Sequence, residues 1–91
     1  MKVIKINALW CPGCLVMNKI WQKIIKDFPN LIIKSLDYDF DNMEVKKYNI
    51  GNKLPVFIFF NEQNEEIHRI IGEISYEELG SLIERITYEK A

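Results

Sequence analysis

The segment Trp10-Cys11-Pro12-Gly13-Cys14 contains both cysteines of this 91-residue chain. An apolar stretch precedes the segment, and the residues after it carry apolar side chains at helical spacing. A Cys-x-x-Cys at such a strand-to-helix junction places the first sulfur at the N-terminus of a helix. Unpaired N–H groups and the helix dipole favour a thiolate there. The segment therefore predicts reversible dithiol–disulfide exchange.

The hydrophobic pattern on both sides of this segment predicts a βαβ unit. Residues 2–8 are rich in Val and Ile and predict a buried strand. A helix is predicted from Pro12 to Phe28, and Pro12 suits the first helical position because the N–H there is unpaired anyway. A second apolar strand follows over residues 31–36. Two strands joined by one helix should be parallel, with a right-handed crossover.

A short helix and a β-hairpin are predicted next. Asp41, with Glu44 three residues later, resembles an N-cap arrangement for a short helix over residues 42–48. Two strands, over residues 55–60 and 66–71, are separated by a polar turn. They predict an antiparallel hairpin, whose first strand is apolar on both faces and hence central.

A capping box opens the last predicted helix and completes the fold. Ser75 is followed three residues later by Glu78. The helix beyond has an apolar face formed by Leu79, Leu82, Ile83 and Ile86. We therefore predict one α/β domain over residues 1–91, in the order βαβ(α)ββα, with a four-stranded mixed sheet and helices on both faces.

Composition and charge argue against several classes of function. The net charge is −1, with both signs interspersed along the chain, which argues against binding to nucleic acid or to an anionic membrane surface. No segment approaches the roughly 18 consecutive apolar residues of a membrane span. The N-terminus lacks the features of a secretory signal. We therefore expect a cytoplasmic protein, where a close pair of cysteines is more often catalytic or metal-binding than structural.

Three features together resemble the thioredoxin superfamily, in a minimal form without the N-terminal strand and helix of full thioredoxins. They are the Cys-x-x-Cys segment at residues 10–14, the stretch Lys53-Leu54-Pro55-Val56-Phe57, and Ile71-Gly72 after the hairpin. In this superfamily the corresponding proline forms a cis peptide bond and follows the first cysteine at the spacing found here. The resemblance covers essentially the whole chain. It implies a thioredoxin-like fold and a thiol–disulfide oxidoreductase.

The resemblance also implies a role for each residue of the site. Cys11 is the nucleophile, expected to be partly exposed, and Cys14 is the resolving thiol. A cis Pro55 would direct the backbone of Leu54 toward an extended substrate strand. Trp10 is expected either to line the substrate groove or only to pack on the sheet. The remaining substrate-binding residues are Pro12, Gly13 and Gly72, of which Gly72 would let a partner backbone approach or would simply form a turn.

The cofactors and partners expected from this resemblance are few. The redox group is the Cys11–Cys14 disulfide itself, with no further cofactor and no metal. The substrates would be disulfide-containing proteins. The electrons would come from a reductase flavoenzyme or from low-molecular-weight thiols, and the protein is expected to be a monomer.

The chain departs from the superfamily at several positions. Pro-Gly separates the cysteines, where thioredoxins have Gly-Pro and glutaredoxins have Pro-Tyr. Many thioredoxins have a buried aspartate six residues before the first cysteine, and this chain has Lys5 there. The lysine that accompanies this aspartate in the next strand corresponds roughly to Ser35. The usual proton relay therefore cannot be assigned. We expect Lys5 to reach the surface, to pair with Asp37, or to lie beneath Cys14 and favour thiolates.

Other functions remain open at this stage. A metal site would need more ligands than two cysteines and the lone His68, unless two chains share it. We expect His68 to be a surface residue of the hairpin and Trp21 to belong to the core. A non-catalytic binding module on a thioredoxin-like scaffold is one alternative. A glutaredoxin-like reductase of small-molecule or mixed disulfides is another, although the glutathione-binding pattern is not met around Pro55 and Gly72.

Overall fold

The computed structural model describes the backbone of residues 1–90 and the side chains of residues 1–87. The predicted order of strands and helices is confirmed, and no strand end differs from its predicted position by more than one residue. The elements are β1 (Lys2–Asn7), α1 (Pro12–Asp27), β2 (Ile32–Asp37), α2 (Asn42–Val45), a 3₁₀ turn (Lys46–Tyr48), β3 (Val56–Phe60), β4 (Glu66–Ile71) and α3 (Tyr76–Lys90).

The four strands form one mixed sheet in the order β2-β1-β3-β4. β1 is parallel to β2, as the βαβ prediction requires, and antiparallel to β3. β3 and β4 form the predicted antiparallel hairpin. Ile6 near the end of β1 lies opposite Val56 at the start of β3. The C-terminal end of β1 and the residues that precede β3 therefore meet at one edge of the sheet.

The sheet separates two apolar clusters. On one face, Val3 and Phe57 pack with the apolar sides of α1 and α3, including Trp21 and Ile83. The other face is covered only by short elements, which are α2, the 3₁₀ turn and the segment that leads to Ile50. All five residues of β3 are buried, so the prediction that this strand is apolar on both faces is confirmed. Helices on both faces are also confirmed, with both long helices on one side.

The segment after β2 differs from the prediction in two details. Asp41 precedes α2, but its side chain makes no capping hydrogen bond to that helix. Its Oδ2 atom accepts a hydrogen bond of 2.8 Å from the backbone N–H of Asp37. Asp41 therefore occupies the predicted N-cap position, but its carboxylate satisfies the tight turn that leaves β2 instead of capping the helix. The predicted helix over residues 42–48 is also divided into α2 and the 3₁₀ turn.

The cap of α3 gives a test of the fold. Ser75 Oγ accepts a hydrogen bond of 3.1 Å from the backbone N–H of Glu78. Replacing Ser75 with Ala should lower the free energy of unfolding by about 1 kcal/mol, because this N–H loses its partner. Urea denaturation measures the change. Ser81→Ala, within α3, is the control and should leave stability equal or slightly higher. Equal losses in both variants would contradict the cap.

Candidate redox site

Cys11 and Cys14 form a disulfide at the start of α1. Their Cα atoms lie 5.3 Å apart. Cys11 is the N-cap residue, with extended backbone angles (φ −100°, ψ 107°), and a proline occupies the start of the helix. The backbone N–H of Cys14 donates a hydrogen bond of 3.2 Å to Cys11 Sγ. In the reduced protein this N–H and the helix dipole stabilise a thiolate at Cys11.

The two sulfurs are more buried than the sequence suggests. Cys11 is 5% exposed and Cys14 is 2% exposed, so the expectation of a partly exposed Cys11 is wrong for the disulfide form. The reason is a small buried cluster of Ala8 and the two cysteines, against which the partly buried Tyr38 and Leu54 pack. Cys11 is nevertheless one of the residues that line the surface groove described next.

A groove of about 690 Å³ runs past Cys11. The structure brings most of the predicted site residues together in its walls, whereas Cys14 and Pro55 are not among the lining residues. The lining residues are Trp10, Cys11, Pro12, Gly13, Asn52, Lys53, Leu54, Ile71, Gly72 and Glu73.

Pro55 lies directly beside the Cys-x-x-Cys segment. The Leu54–Pro55 peptide bond is cis, as expected. A Cβ atom placed on Gly13 would lie 3.3 Å from Pro55 Cδ, so this ring borders the loop between the two cysteines. The carbonyl oxygen of Pro55 accepts a hydrogen bond of 2.8 Å from the backbone N–H of Gly72. One hydrogen bond thus ties the two loops of the groove together.

The backbone conformation at position 72 favours a glycine. Its φ angle is +94°, a region that residues with a side chain rarely adopt. A Cβ atom placed there would meet no heavy atom within 4 Å, so the space in front of it is open. Both expectations for this residue are therefore compatible with the structure: it forms the turn after β4, and it leaves room in the groove.

Trp10 stands at the edge of the groove. It is 59% exposed and lines the groove, so it does not simply pack on the sheet. Its indole Nε1 donates a hydrogen bond of 2.7 Å to Asp39 Oδ2. Its ring also meets Tyr38 edge to face, at 6.0 Å between centroids. The loop after β2 therefore fixes the orientation of this exposed indole.

Several residues of the site were not predicted from the sequence. Asn52, Lys53, Ile71 and Glu73 line the groove although none of them was assigned to it. Lys53 and Glu73 directly adjoin Leu54 and Gly72 in the sequence, and this adjacency is the signal that could have found them. Asp39 was missed for a different reason, because its contact with the indole depends on how the loop folds.

Lys5 is buried in the core between the sheet and α1. Its side chain is 7% exposed, and its Nζ lies 5.6 Å from the centroid of the Trp21 ring. Trp21 belongs to the same buried face of α1 as Cys14. Burial away from water lowers the pKa of the Lys5 amine, because it penalises the charged form. The attraction between a cation and the face of an indole offsets part of this penalty.

The predicted ion pair between Lys5 and Asp37 is wrong. The register places Lys5 opposite Ser35, whereas Asp37 lies opposite the last residue of β1. The carboxylate of Asp37 instead accepts two hydrogen bonds of 2.9 Å, from the backbone N–H groups of Asp39 and Phe40. The effect of Lys5 on the two thiols stays a prediction.

Other candidate features lie outside this site. His68 is exposed on β4, opposite Phe59 and toward the hairpin turn, at the end of the sheet remote from Pro55. Trp21 is fully buried in the core, as predicted. Within the part of the chain that the structure describes, no three His, Cys, Asp or Glu side chains are grouped to hold a metal. In the same residues, no helix is both long and apolar enough to cross a bilayer.

Comparison with known sequences identifies relatives along the whole chain. The thioredoxin family model matches residues 1–85. Thioredoxin H5 of Oryza sativa subsp. japonica is 28% identical over 88 residues, which are 97% of this chain but 63% of the rice protein. A thioredoxin of Chlamydia pneumoniae is 26% identical over 78 residues, covering 86% of this chain and 74% of the bacterial one. The chain thus spans less than two thirds of the length of the rice relative.

Comparison with solved structures gives the same family fold. A structure of thioredoxin-2 from a malaria parasite has a TM-score of 0.85 at 21% identity, covering 92% of this chain and 81% of the parasite chain. Thioredoxin from Trypanosoma brucei brucei has a TM-score of 0.84 at 24% identity, covering 96% and 74% of the two chains. Mitochondrial thioredoxin 3 from Saccharomyces cerevisiae has a TM-score of 0.81 at 25% identity, covering 92% and 76%.

The burial of Lys5 predicts a pH-dependent stability. Lys5→Met should raise the free energy of unfolding at pH 7 by about 1 kcal/mol or more, because no charged group is then buried. Folding lowers the pKa of Lys5 below its ordinary value of 10.5. At pH values between the lowered pKa and 10.5, the unfolded chain therefore binds more protons than the folded protein does. Stability of the native protein should therefore rise with pH across this window, and the advantage of Lys5→Met should shrink.

Urea unfolding at a series of pH values measures this difference. Lys19→Met is the matched control, because Lys19 is exposed on α1. It should show no comparable dependence on pH. An advantage of Lys5→Met that stays constant up to pH 10.5 would contradict burial as its cause. Thiol pKa values that are equal in Lys5→Met and the native protein would exclude an influence of Lys5 on the cysteines.

Proposed function

The chain belongs to the thioredoxin family, and its Cys11–Cys14 pair supports a thiol–disulfide oxidoreductase; we propose that it reduces disulfides in proteins. The single observation that carries this proposal is the position of Cys11 Sγ. It accepts a hydrogen bond from the Cys14 N–H at the N-terminus of α1, and Cys11 also lines the groove. The group that is favoured as a thiolate is therefore the one that faces a substrate.

The reaction is two successive exchanges at sulfur. The Cys11 thiolate attacks one sulfur of the substrate disulfide, which forms a mixed disulfide and releases the other substrate sulfur as a thiolate. The Cys14 thiolate then attacks Cys11 Sγ, which forms the Cys11–Cys14 disulfide and releases the second substrate thiolate. The substrate gains two electrons, the protein loses two, and the released thiolates take up protons from solvent.

The different positions of the two cysteines support this division of roles. Cys14 is 2% exposed and does not line the groove, so a substrate sulfur meets Cys11 first. The Cα atoms lie 5.3 Å apart, within the range that a disulfide spans, so Cys14 reaches Cys11 without a rearrangement of the backbone. A mixed disulfide on Cys11 is therefore short-lived whenever Cys14 is present.

The shape of the groove supports a polypeptide substrate. It is open along its length, and its apolar walls include two exposed side chains, Trp10 and Ile71. Leu54 lies in the wall, next to the cis bond that precedes β3. Exposed apolar residues beside a reactive group are typical of surfaces that contact another protein. An extended segment around the disulfide of an unfolded or folded protein fits such a groove.

Regeneration of the dithiol needs an electron donor from outside the chain. We propose a reductase flavoenzyme or a low-molecular-weight thiol, because either can deliver two electrons to the Cys11–Cys14 disulfide by thiol exchange. A cytoplasmic location agrees with this direction, since the cytosol keeps such pairs reduced. We also propose that the protein acts as a monomer.

Single replacements of the two cysteines should have different effects. Cys11→Ser should reduce the turnover of a protein disulfide to the uncatalysed rate, because the nucleophile is lost. Cys14→Ser should still attack but should accumulate a mixed disulfide through Cys11. Non-reducing electrophoresis and intact mass measurement detect this adduct. Turnover that survives in Cys11→Ser would contradict the proposal, as would an adduct on Cys14 in that variant.

The reduction potential of the pair should identify the direction of exchange. Equilibration with graded thiol–disulfide buffers should give a two-electron transition at about −270 mV, the value usual for thioredoxin. A value of about −120 to −180 mV would instead indicate an oxidase or isomerase. Absence of a reversible transition would overturn the redox function and leave a binding module. The Cys14→Ser variant is the control, because it cannot form the internal disulfide.

A further inference from the structure

Glu73 places a carboxylate directly over the loop between the two cysteines. A Cβ atom built on Gly13 would lie 3.2 Å from Glu73 Oε2 and 3.4 Å from Glu73 Cγ. Gly13 is one of the two residues between Cys11 and Cys14. The side chain of Glu73 therefore lies directly beside the redox loop, in the space that a side chain at position 13 would enter.

The position of Glu73 follows from the backbone around it. Gly72, with a φ angle of +94°, turns the chain sharply after β4, and its N–H is bonded to the carbonyl oxygen of Pro55. This turn directs the next residue, Glu73, across the groove toward the loop at Gly13. Lys53 is the other charged residue in the lining, and it precedes Leu54 in the loop before β3. The two are not joined by an ion pair, so each keeps its charge available to a substrate.

We propose that Glu73 is a specificity-determining residue, which favours substrate disulfides flanked by Lys or Arg and disfavours anionic disulfides. The inference rests on the proposed function, because it concerns the substrate of the same exchange. A carboxylate next to the attacked sulfur attracts a cation on the substrate strand and repels an anion. Oxidised glutathione, which carries more carboxylates than ammonium groups at neutral pH, belongs to the disfavoured class.

The exposure of the Glu73 carboxylate determines how strongly it discriminates between cationic and anionic substrates. Glu73 is exposed, so water and salt screen its charge and the discrimination is moderate. Two unit charges a few ångströms apart in water change a rate by about fivefold. The effect should decline as ionic strength rises and the screening length falls below about 10 Å. A preference caused by shape would not depend on salt in this way.

The test uses two model disulfides that differ only in charge. Each is a disulfide-linked dimer of a short peptide, and Lys flanks the cysteine in one peptide where Glu flanks it in the other. Stopped-flow mixing with the reduced protein gives the second-order rate constant for each, and their ratio is the measured preference. The ratio cancels any change in the reactivity of Cys11 that a variant causes, because this change affects both peptides equally.

Glu73→Gln is the informative variant, since the amide has nearly the same shape and keeps the contact with Gly13. We expect the preference for the Lys peptide to fall about fivefold or more in this variant at low ionic strength, because the attraction of one peptide and the repulsion of the other are lost together. Glu73→Lys should reverse it. Glu62→Gln is the matched control, because it removes the same charge from the hairpin turn at the opposite end of β3 and should leave the ratio unchanged.

The possible results separate this inference from the proposed function. If Glu73→Gln has the ratio of the native protein while both peptides are still reduced, the inference is overturned and the proposed function stands. The same conclusion follows if Glu62→Gln lowers the ratio as much as Glu73→Gln, because net charge would then be the cause. If the native protein reduces neither peptide nor a folded protein disulfide, the proposed function is overturned and this inference falls with it.

Discussion

The hydrogen bond from the Cys14 N–H to Cys11 Sγ is the interaction on which the site depends. The first N–H groups of a helix need acceptors from outside the helix, and side-chain oxygens usually provide them. In α1 a sulfur takes this place, so the start of the helix and the reactive group are the same residue. The stability of the helix terminus and the reactivity of the thiolate are therefore linked through one contact.

The sheet order brings the second half of the site to this sulfur. β1 and β3 are neighbours and antiparallel, with Ile6 opposite Val56, so the end of one strand lies beside the start of the other. The residues after β1 lead to Cys11, and the residue before β3 is Pro55. Because both strands are buried, they hold this arrangement rigidly. The loops that carry the site are thereby positioned by two buried neighbouring strands.

The sequence predicts the features that depend on local pattern, and it misses those that depend on contacts between distant side chains. The order of strands and helices along the chain, the parallel pair and the position of the cysteines at a helix start follow from periodicity and spacing. The contact between Glu73 and Gly13 and the burial of Cys11 require the loops to be folded. The pairing of Lys5 with Asp37 failed for a similar reason, since the register puts Ser35 opposite Lys5.

The buried amine of Lys5 has a consequence for how the thiols are activated. A buried carboxylate at this position, as in many thioredoxins, can accept a proton from a nearby thiol, whereas an ammonium group cannot. Lys5 also directs its charge toward the ring of Trp21. The helix terminus and its hydrogen bond to Cys11 Sγ are backbone features that can stabilise a thiolate whatever the effect of Lys5. The helix terminus and this hydrogen bond require only that α1 begins at Cys11, so they do not depend on whether position 5 is an aspartate or a lysine.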